Sequence, residues 1–416
     1  MNLIVAHNFY QQPGGEDQVY ASERALLEKF GHQVHRFEMD NDAIDSMGKL
    51  AAMRATIWNS KSYDAMRAAV REHRAQVVHF HNTFPLISPA AYAAARDEGA
   101  AVVQTLHNFR LLCPNAVFFR EGKVCEDCLG KTFAWPGVKH KCYRDSRAAS
   151  GAVAAMACAH RMKGTWNNGV DAYIAPTEFA RRKFIEGGLP ADRIFVKPNF
   201  VDPDPGVGPG DGNYAVFVAR LSYEKGLETL LAAWEQLADT IPLKIVGDGP
   251  LAHLVQQAMS RTKNIQWLGR LPLEQVYETI GGAMMLIFPS RCYETFGRVA
   301  VEAYAKGVPV IASNHGAMAD VVAHERTGLL FTPGDPRALA GAVKQLLANP
   351  ARLAAMRNEV RREYVTKFTG DANHAMMMDV YQKAITNLAV GKSPREVLND
   401  TRGKQPSPLY SGESVG

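Results

Sequence analysis

The chain has 416 residues, 47% of them hydrophobic, and a formal net charge of +5. A chain of that length buries sizeable cores and is expected to divide into about two domains, while so mild a charge argues against nucleic acid as a partner and allows phosphorylated ligands or an anionic membrane surface. No apolar run approaches the roughly 18 residues of a membrane span, and no secretory signal is visible at the N-terminus, so a cytoplasmic protein is expected.

Residues 3–6 predict a first strand, followed by a loop carrying Gly14 and Gly15 and a helix that runs to Phe30 and stops at Gly31. Such an opening of strand, glycine loop and helix suits an α/β domain. Gly15 would let the backbone approach a phosphate or an acceptor sugar, and an ordinary turn is the alternative. Further strands are predicted over 34–37, 76–81, 101–106, 172–175 and 194–196, with helical stretches between most of them, which calls for a parallel sheet. His107 stands at the carboxyl end of its strand, where open α/β sheets bind ligands; it faces a ligand or is a hydrogen-bonded structural residue. His79 and His81, on the preceding strand, are expected to support the fold.

Residues 108–147 form an insertion rich in cysteine, with Cys113, Cys125, Cys128 and Cys142 among Lys123, Lys131, Lys139, His140, Lys141 and Arg144. Two thiolates spaced as Cys-x2-Cys with two flanking cysteines could complete a tetrahedral structural zinc site, with His140 as a substitute ligand; free thiols are the alternative. The basic residues, together with Arg147, His160, Arg161, Lys163 and Trp166, either form a solvated face or touch an anionic membrane carrying a lipid-linked acceptor.

Residues 199–213, dense in Pro, Gly and Asp, read as a linker between an N-terminal domain (1–198) and a C-terminal one (214–370). The second series of strands is predicted over 215–219, 243–246, 265–268, 284–288, 308–311 and 329–331. Its first strand empties into Arg220-Leu-Ser-Tyr-Glu-Lys225-Gly226, which places two cations at a strand end before a helix. Gly247-Asp-Gly-Pro250 is expected to turn into a helix with Pro250 as its first residue, and Gly269-Arg270-Leu271 follows the next strand. Helical patterns continue to Lys367, a last helix spans 371–390, and 391–416 is expected to be a disordered tail.

The most informative stretch is Pro289-Ser-Arg-Cys-Tyr-Glu294-Thr-Phe296-Gly297-Arg-Val-Ala-Val-Glu302-Ala-Tyr-Ala-Lys-Gly307-Val-Pro309. It reads as strand, loop and helix, the helix starting near 295–297 and ending at Gly307, with first-turn amides and a macrodipole suited to phosphate. Glu294 and Glu302 would lie about 10 Å apart at about 1.5 Å per residue. Both could touch one ligand only if it were long, with hydroxyls at its two ends.

This stretch resembles the donor-site signature of the retaining family 4 glycosyltransferases, and the similarity runs from Met1 to about Leu388. The resemblance implies the GT-B fold, two Rossmann-like domains with parallel sheets facing a cleft, the last helix crossing back onto the first domain. It implies a nucleotide-sugar donor held by Arg220 and Lys225 at the diphosphate, the amides near Phe296 and Gly297, Glu294 at the sugar hydroxyls, Glu302 at the ribose and Arg270 near the base. His107 and Gly15 would approach the donor from the opposite domain. Asn108 departs from the family, where His or Asp follows the histidine. No cofactor is required for the transfer, and no carboxylate nucleophile is evident near His107, which favours front-face attack by a saccharide or lipid-linked acceptor. A nucleotide-sugar epimerase of the same fold and a non-catalytic nucleotide-sugar-binding protein are the rival readings.

Overall fold

The computed structural model describes residues 1–11 and 14–391; apart from Gly391, the expected tail lies outside them. Two six-stranded sheets organise the chain. The first contains β1 (Asn2–Phe9), β2 (Gln33–Asp40), β3 (Val77–Asn82) and β4 (Ala101–Thr105). A small hairpin of β5 (Phe119–Arg120) and β6 (Lys123–Val124) interrupts the series before β7 (Ala172–Ala175) and β8 (Ile194–Val196). The strand order is β2-β1-β3-β4-β7-β8, every pair parallel.

The second sheet is built from β9 (Ala215–Val218), β10 (Leu243–Val246), β11 (Ile265–Gly269), β12 (Met285–Phe288), β13 (Val310–Ser313) and β14 (Gly328–Phe331), in the order β11-β10-β9-β12-β13-β14. All its pairs are parallel too. Every predicted strand of both series is present, because short apolar runs between breakers can only be satisfied in a sheet covered on both faces. The sheets face each other in the GT-B arrangement expected from the sequence.

Side-chain alternation along β1 shows how each sheet is covered. Ile4 and Ala6 point to one face, with Val78, Phe80 and Phe109. Leu3 and Val5 point to the other, where they meet Met377, Tyr381 and Ala384 of the helix Gly370–Gly391. The last helix therefore leaves the second sheet behind and packs against the first. The segment that leads out to the second sheet and the one that returns touch each other, Val201 N–H donating to the Phe368 carbonyl at 3.0 Å and the Tyr364 hydroxyl to the Val201 carbonyl at 2.9 Å.

Two local expectations change and a third gains detail. The helix after Gly247 begins at Ala252, so Pro250 lies in the turn rather than at the first helical position. The stretch after Asp335 is two helices, Pro336–Leu347 and Pro350–Lys367, each opened by a proline behind an Asp or Asn cap. Within the basic group near the insertion, His160 and Trp166 are buried; His160 bonds Thr165 and the Ile57 carbonyl, so neither side chain belongs to a surface face. Among the described residues, no helix is long and apolar enough to cross a membrane.

Candidate active site

The turn after β9 places the two cations. Lys225 ends a short 3-10 turn, and Gly226 follows with φ 76°, where an added Cβ would overlap the Pro289 carbonyl. Only glycine brings the chain that close to the loop after β12. The result is contact between Lys225 and Glu294, whose Nζ and Oε1 are 2.6 Å apart. The Ser290 hydroxyl donates to the same carboxylate oxygen at 2.6 Å. Burial alone would raise the Glu294 carboxyl, but the Lys225 ammonium outweighs it and holds it below its usual value. Burial likewise opposes the Lys225 charge, and Glu294 more than restores it.

Glu302 sits inside the helix Arg298–Ala305, whose N-cap is Gly297 at φ 95°. An added side chain there would collide with Met318, so the tight entry to this helix also depends on glycine. Glu302 is buried and pairs with Arg298 one turn earlier, Nε to Oε1 at 3.1 Å. Burial raises its carboxyl, and Arg298 offsets only part of that rise.

A cleft of about 770 Å³ between the two sheets is lined by Gly15 and His107 on one wall and by Arg220, Lys225, Glu294, Phe296, Gly297 and Glu302 on the other. That volume suits a small-molecule ligand. Arg220 is exposed, and among the described residues it has no ion-pair partner. Arg270 is exposed beyond β11 and does not line the cleft. The walls also touch: Thr295 Oγ1 donates to the His107 carbonyl at 2.7 Å, Thr177 Oγ1 to the Thr295 carbonyl at 3.0 Å, and Arg298 Nη1 to Gln18 Oε1 at 3.2 Å.

Several cleft residues were not singled out from the sequence. Arg298 had a readable signal, its i,i+4 spacing to Glu302 on a helix. Glu16 had one as well, an acidic residue directly after the Gly-Gly pair, whereas Tyr10 and Arg110 had none, because they meet it only through the fold. Arg110 packs over Phe84 at 4.5 Å and Tyr143 at 5.0 Å, and Asn108 Nδ2 donates to Glu16 Oε2 at 3.2 Å. Glu16 Oε1 is buried without a partner among the described residues, and burial raises its carboxyl. Glu16 thereby reaches Asn108, the residue next to His107, across ninety-two positions of sequence. Gly15 has open space where a Cβ would be, consistent with room for a ligand.

The insertion beside the cleft supplies Asn115, Ala116 and Val117 to its lining. Its four cysteines are in no disulfide, Cys113 and Cys128 buried, Cys125 and Cys142 half-buried. Burial and the neighbouring sulfurs push the Cys128 thiol up to about 12, and burial likewise raises Cys113 and Cys142. Among the described residues, only Glu23, His79 and His81 bring three potential ligand atoms within 4.8 Å of one another.

The sequence and the fold both have known relatives. A family model described as Glycosyltransferase Family 4 matches residues 14–205, and one described as Glycosyl transferases group 1 matches residues 202–363. A 2-deoxystreptamine N-acetyl-D-glucosaminyltransferase of Niallia circulans is 28% identical over 172 residues, covering 40% of this chain and 44% of that protein. A glycogen synthase of Mycobacterium tuberculosis is 31% identical over 186 residues, covering 43% and 44%. The matched region thus spans less than half the length of these curated relatives. Anabaena HepE in complex with UDP superposes with a TM-score of 0.67 at 18% identity, over 92% of this chain and 100% of its own. Sucrose-phosphate synthase of Thermosynechococcus elongatus gives 0.68 at 18%, over 92% and 99%. At such identity these two structures speak for the fold. Adjoining family matches across both sheets, a shared GT-B architecture and a cleft between the sheets agree, and the chain belongs to the GT-B glycosyltransferases of the family 4 type.

Proposed function

We propose that the protein moves a hexosyl group from a nucleotide diphosphate donor to a hydroxyl acceptor with retention at the anomeric carbon, in the synthesis of a cell-surface polysaccharide or lipid-linked oligosaccharide. The observation that carries this reading is the convergence on one cleft of Arg220, Lys225, Glu294, Glu302 and the N-terminus of the helix Arg298–Ala305, with His107 on the facing wall. One structural neighbour, Anabaena HepE, is solved with UDP-glucose, which supports a nucleotide-sugar donor.

In this reading the diphosphate lies against Arg220, Lys225 and the first-turn amides, which neutralise the charge that develops as the bond from C1 to the phosphate oxygen breaks. Fixed cations and a helix end make a metal unnecessary for that step. Glu294, ionised and held by Lys225, accepts hydrogen bonds from sugar hydroxyls, and Glu302 from the ribose. The acceptor oxygen attacks C1 from the face the phosphate leaves, and its proton passes to the departing phosphate oxygen. Glu16 offers its unpartnered Oε1 to the acceptor hydroxyl. The insertion would present its exposed Lys131, Lys139 and Lys141, with Phe133 and Trp135, to an anionic membrane bearing a lipid-linked acceptor.

The test is nucleotide diphosphate release from a panel of UDP- and GDP-sugars, with and without a membrane lipid extract, beside a Glu294→Ala control. Release from one donor, lost in the control, is expected. No binding of any donor would sink the reading; conversion of donor without acceptor would favour an epimerase. Isolation of a glycosyl ester on Glu16 would replace front-face attack with a double displacement.

The structural zinc belongs to the same proposal. A divalent cation bound by these thiolates would have to draw the sulfurs together, since among the described residues no three of them lie within 4.8 Å of one another. One zinc per chain is expected by mass spectrometry of protein purified without chelator, and less than roughly a tenth of an equivalent would end the idea, because a closed structural site retains its metal.

A further inference from the structure

Behind His107 the first domain holds a row of buried charged and titratable side chains that the transfer chemistry does not use. Lys197 Nζ donates to Glu23 Oε1 at 2.7 Å and to Asn373 Oδ1 at 3.0 Å. Among the described residues the other carboxylate oxygen, Glu23 Oε2, has no hydrogen-bond partner and faces His81 Nε2, itself unpartnered, at 3.6 Å. On its other side His81 Nδ1 lies 3.0 Å from His107 Nε2. Glu23, His79, His81 and Lys197 are all fully or almost fully buried.

Two histidines and a glutamate with ligand atoms this close suggest a metal, but the donor set refuses one. The ammonium of Lys197 occupies the carboxylate, and both nitrogens of His79 are already engaged, Nδ1 with the Tyr381 hydroxyl and Nε2 with Thr105 Oγ1, each at 2.8 Å. A cation would sit beside a fixed positive charge. The row is better understood as a line of facing donors and acceptors with a direction.

We propose that Glu23 is a positioning residue which, through His81, fixes the tautomer of His107 and leaves its Nδ1 bare in the cleft. The direction follows from proton counting. Glu23 is paired with Lys197, so Oε2 can only accept, and His81 must direct an Nε2–H toward it. A buried lone pair facing a carboxylate would be repelled. The His81 ring is neutral, since burial and the neighbouring histidines and Lys197 hold it far below its usual range, so Nδ1 is its acceptor. His107, neutral for the same reasons, then donates Nε2–H to His81. Its remaining nitrogen, Nδ1, carries a lone pair.

On the transferase reading, on which the kinetic half of this inference rests, the consequence is specific. A bare Nδ1 accepts a hydrogen bond from a hydroxyl of the bound sugar and turns the negative end of the ring dipole toward a centre that gains positive charge. The opposite tautomer, with Nδ1–H in the cleft, would do neither. His7 and Asp17, paired at 2.7 Å beside this row, do not interrupt it, because His7 spends its Nε2 on Asp17.

Long-range proton–nitrogen spectra of the wild-type chain labelled with nitrogen-15 histidine test the tautomers without any substrate, signals being assigned by loss in His81→Asn and His107→Asn. His81 and His107 are both expected as Nε2–H at neutral pH; Nδ1–H or an imidazolium at His107 would overturn the proposal. Glu23→Gln then reverses the row at nearly constant shape. Its carbonyl stays with Lys197, its NH2 turns to His81 Nε2, and both rings become Nδ1–H. The expected kinetic result is a kcat lower by about 10-fold or more, with donor KM within about 3-fold. Unchanged tautomers in a folded Glu23→Gln protein would also overturn the proposal. Predicted tautomers in a protein that turns over no donor would leave the relay standing and remove the transferase reading.

Discussion

Lys225→Met is expected to lower kcat/KM for donor turnover by about 10²–10³-fold, roughly 3–4 kcal/mol of transition-state stabilisation. Lys225 is asked to hold the leaving diphosphate, yet in the free protein its ammonium is taken by Glu294 at 2.6 Å. The pair is partly exposed, with side-chain accessibilities of 28% and 17%, so its own contribution to stability is modest. Among the described residues, removing the lysine alone leaves the Glu294 carboxylate with only the Ser290 hydroxyl as a hydrogen-bond donor at Oε1, besides the weak thiol of Cys292 at 3.9 Å. The double variant Lys225→Met/Glu294→Gln discards both charges and is expected to recover the thermal midpoint while staying as inactive as Lys225→Met. Recovery of activity together with stability would show that the pair is structural and that phosphate is held elsewhere.

The second large effect is on stability in acid. His79 is held down at about 4 by burial, with Lys197 adding to the effect and Glu23 opposing it, and burial likewise holds His81 and His107 well below the ordinary value. Unfolding returns each to the ordinary value of 6.5. Below that pH the unfolded chain binds protons that the native chain refuses, so stability is full above pH 6.5 and falls on acidification toward the folded values. Each such histidine approaches a slope of about 1.4 kcal/mol per pH unit. Three of them together reach about 4 kcal/mol per unit, a large fraction of a typical folding free energy of about 5–15 kcal/mol. Urea midpoints measured from pH 7.5 to 5 should shift steeply, and His79→Gln should remove about a third of the slope whatever it does to the plateau. A slope that survives unchanged would mean that His79 takes up protons alike in the native and the unfolded chain.

Most of the fold was legible because its signals are local. Runs such as 243–246 and 172–175 are bounded by breakers and became strands with those limits. The cleft wall of the second sheet was legible for a related reason: Glu294 and Glu302 lie on one loop and helix, and Arg220 and Lys225 on one turn. What stayed hidden was assembled by chain reversal. Glu16 and Asn108 are far apart in sequence, as are Glu23, His81 and Lys197, and periodicity carries no information about pairs joined only by sheet order. His79 and His81 were expected to be structural, and their burial agrees with that; their links to Glu23 and His107 could not be read from a strand pattern. Arg270 matched a motif, yet lies outside the cleft lining, because a residue just beyond a strand end can turn toward solvent.

The return of the last helix to the first sheet has a mechanical consequence. The chain crosses between the two halves twice, and at the crossing the two segments are bonded to each other through Val201, Tyr364 and Phe368. One strand of polypeptide would act as a tether and permit twisting in any sense. Two strands fastened side by side act as a door hinge, leaving a single soft rotation. Tyr381 and Asn373, on the returning helix, are bonded to His79 and Lys197, so any rotation about that crossing would turn on a helix anchored in the same buried row that ends at His107.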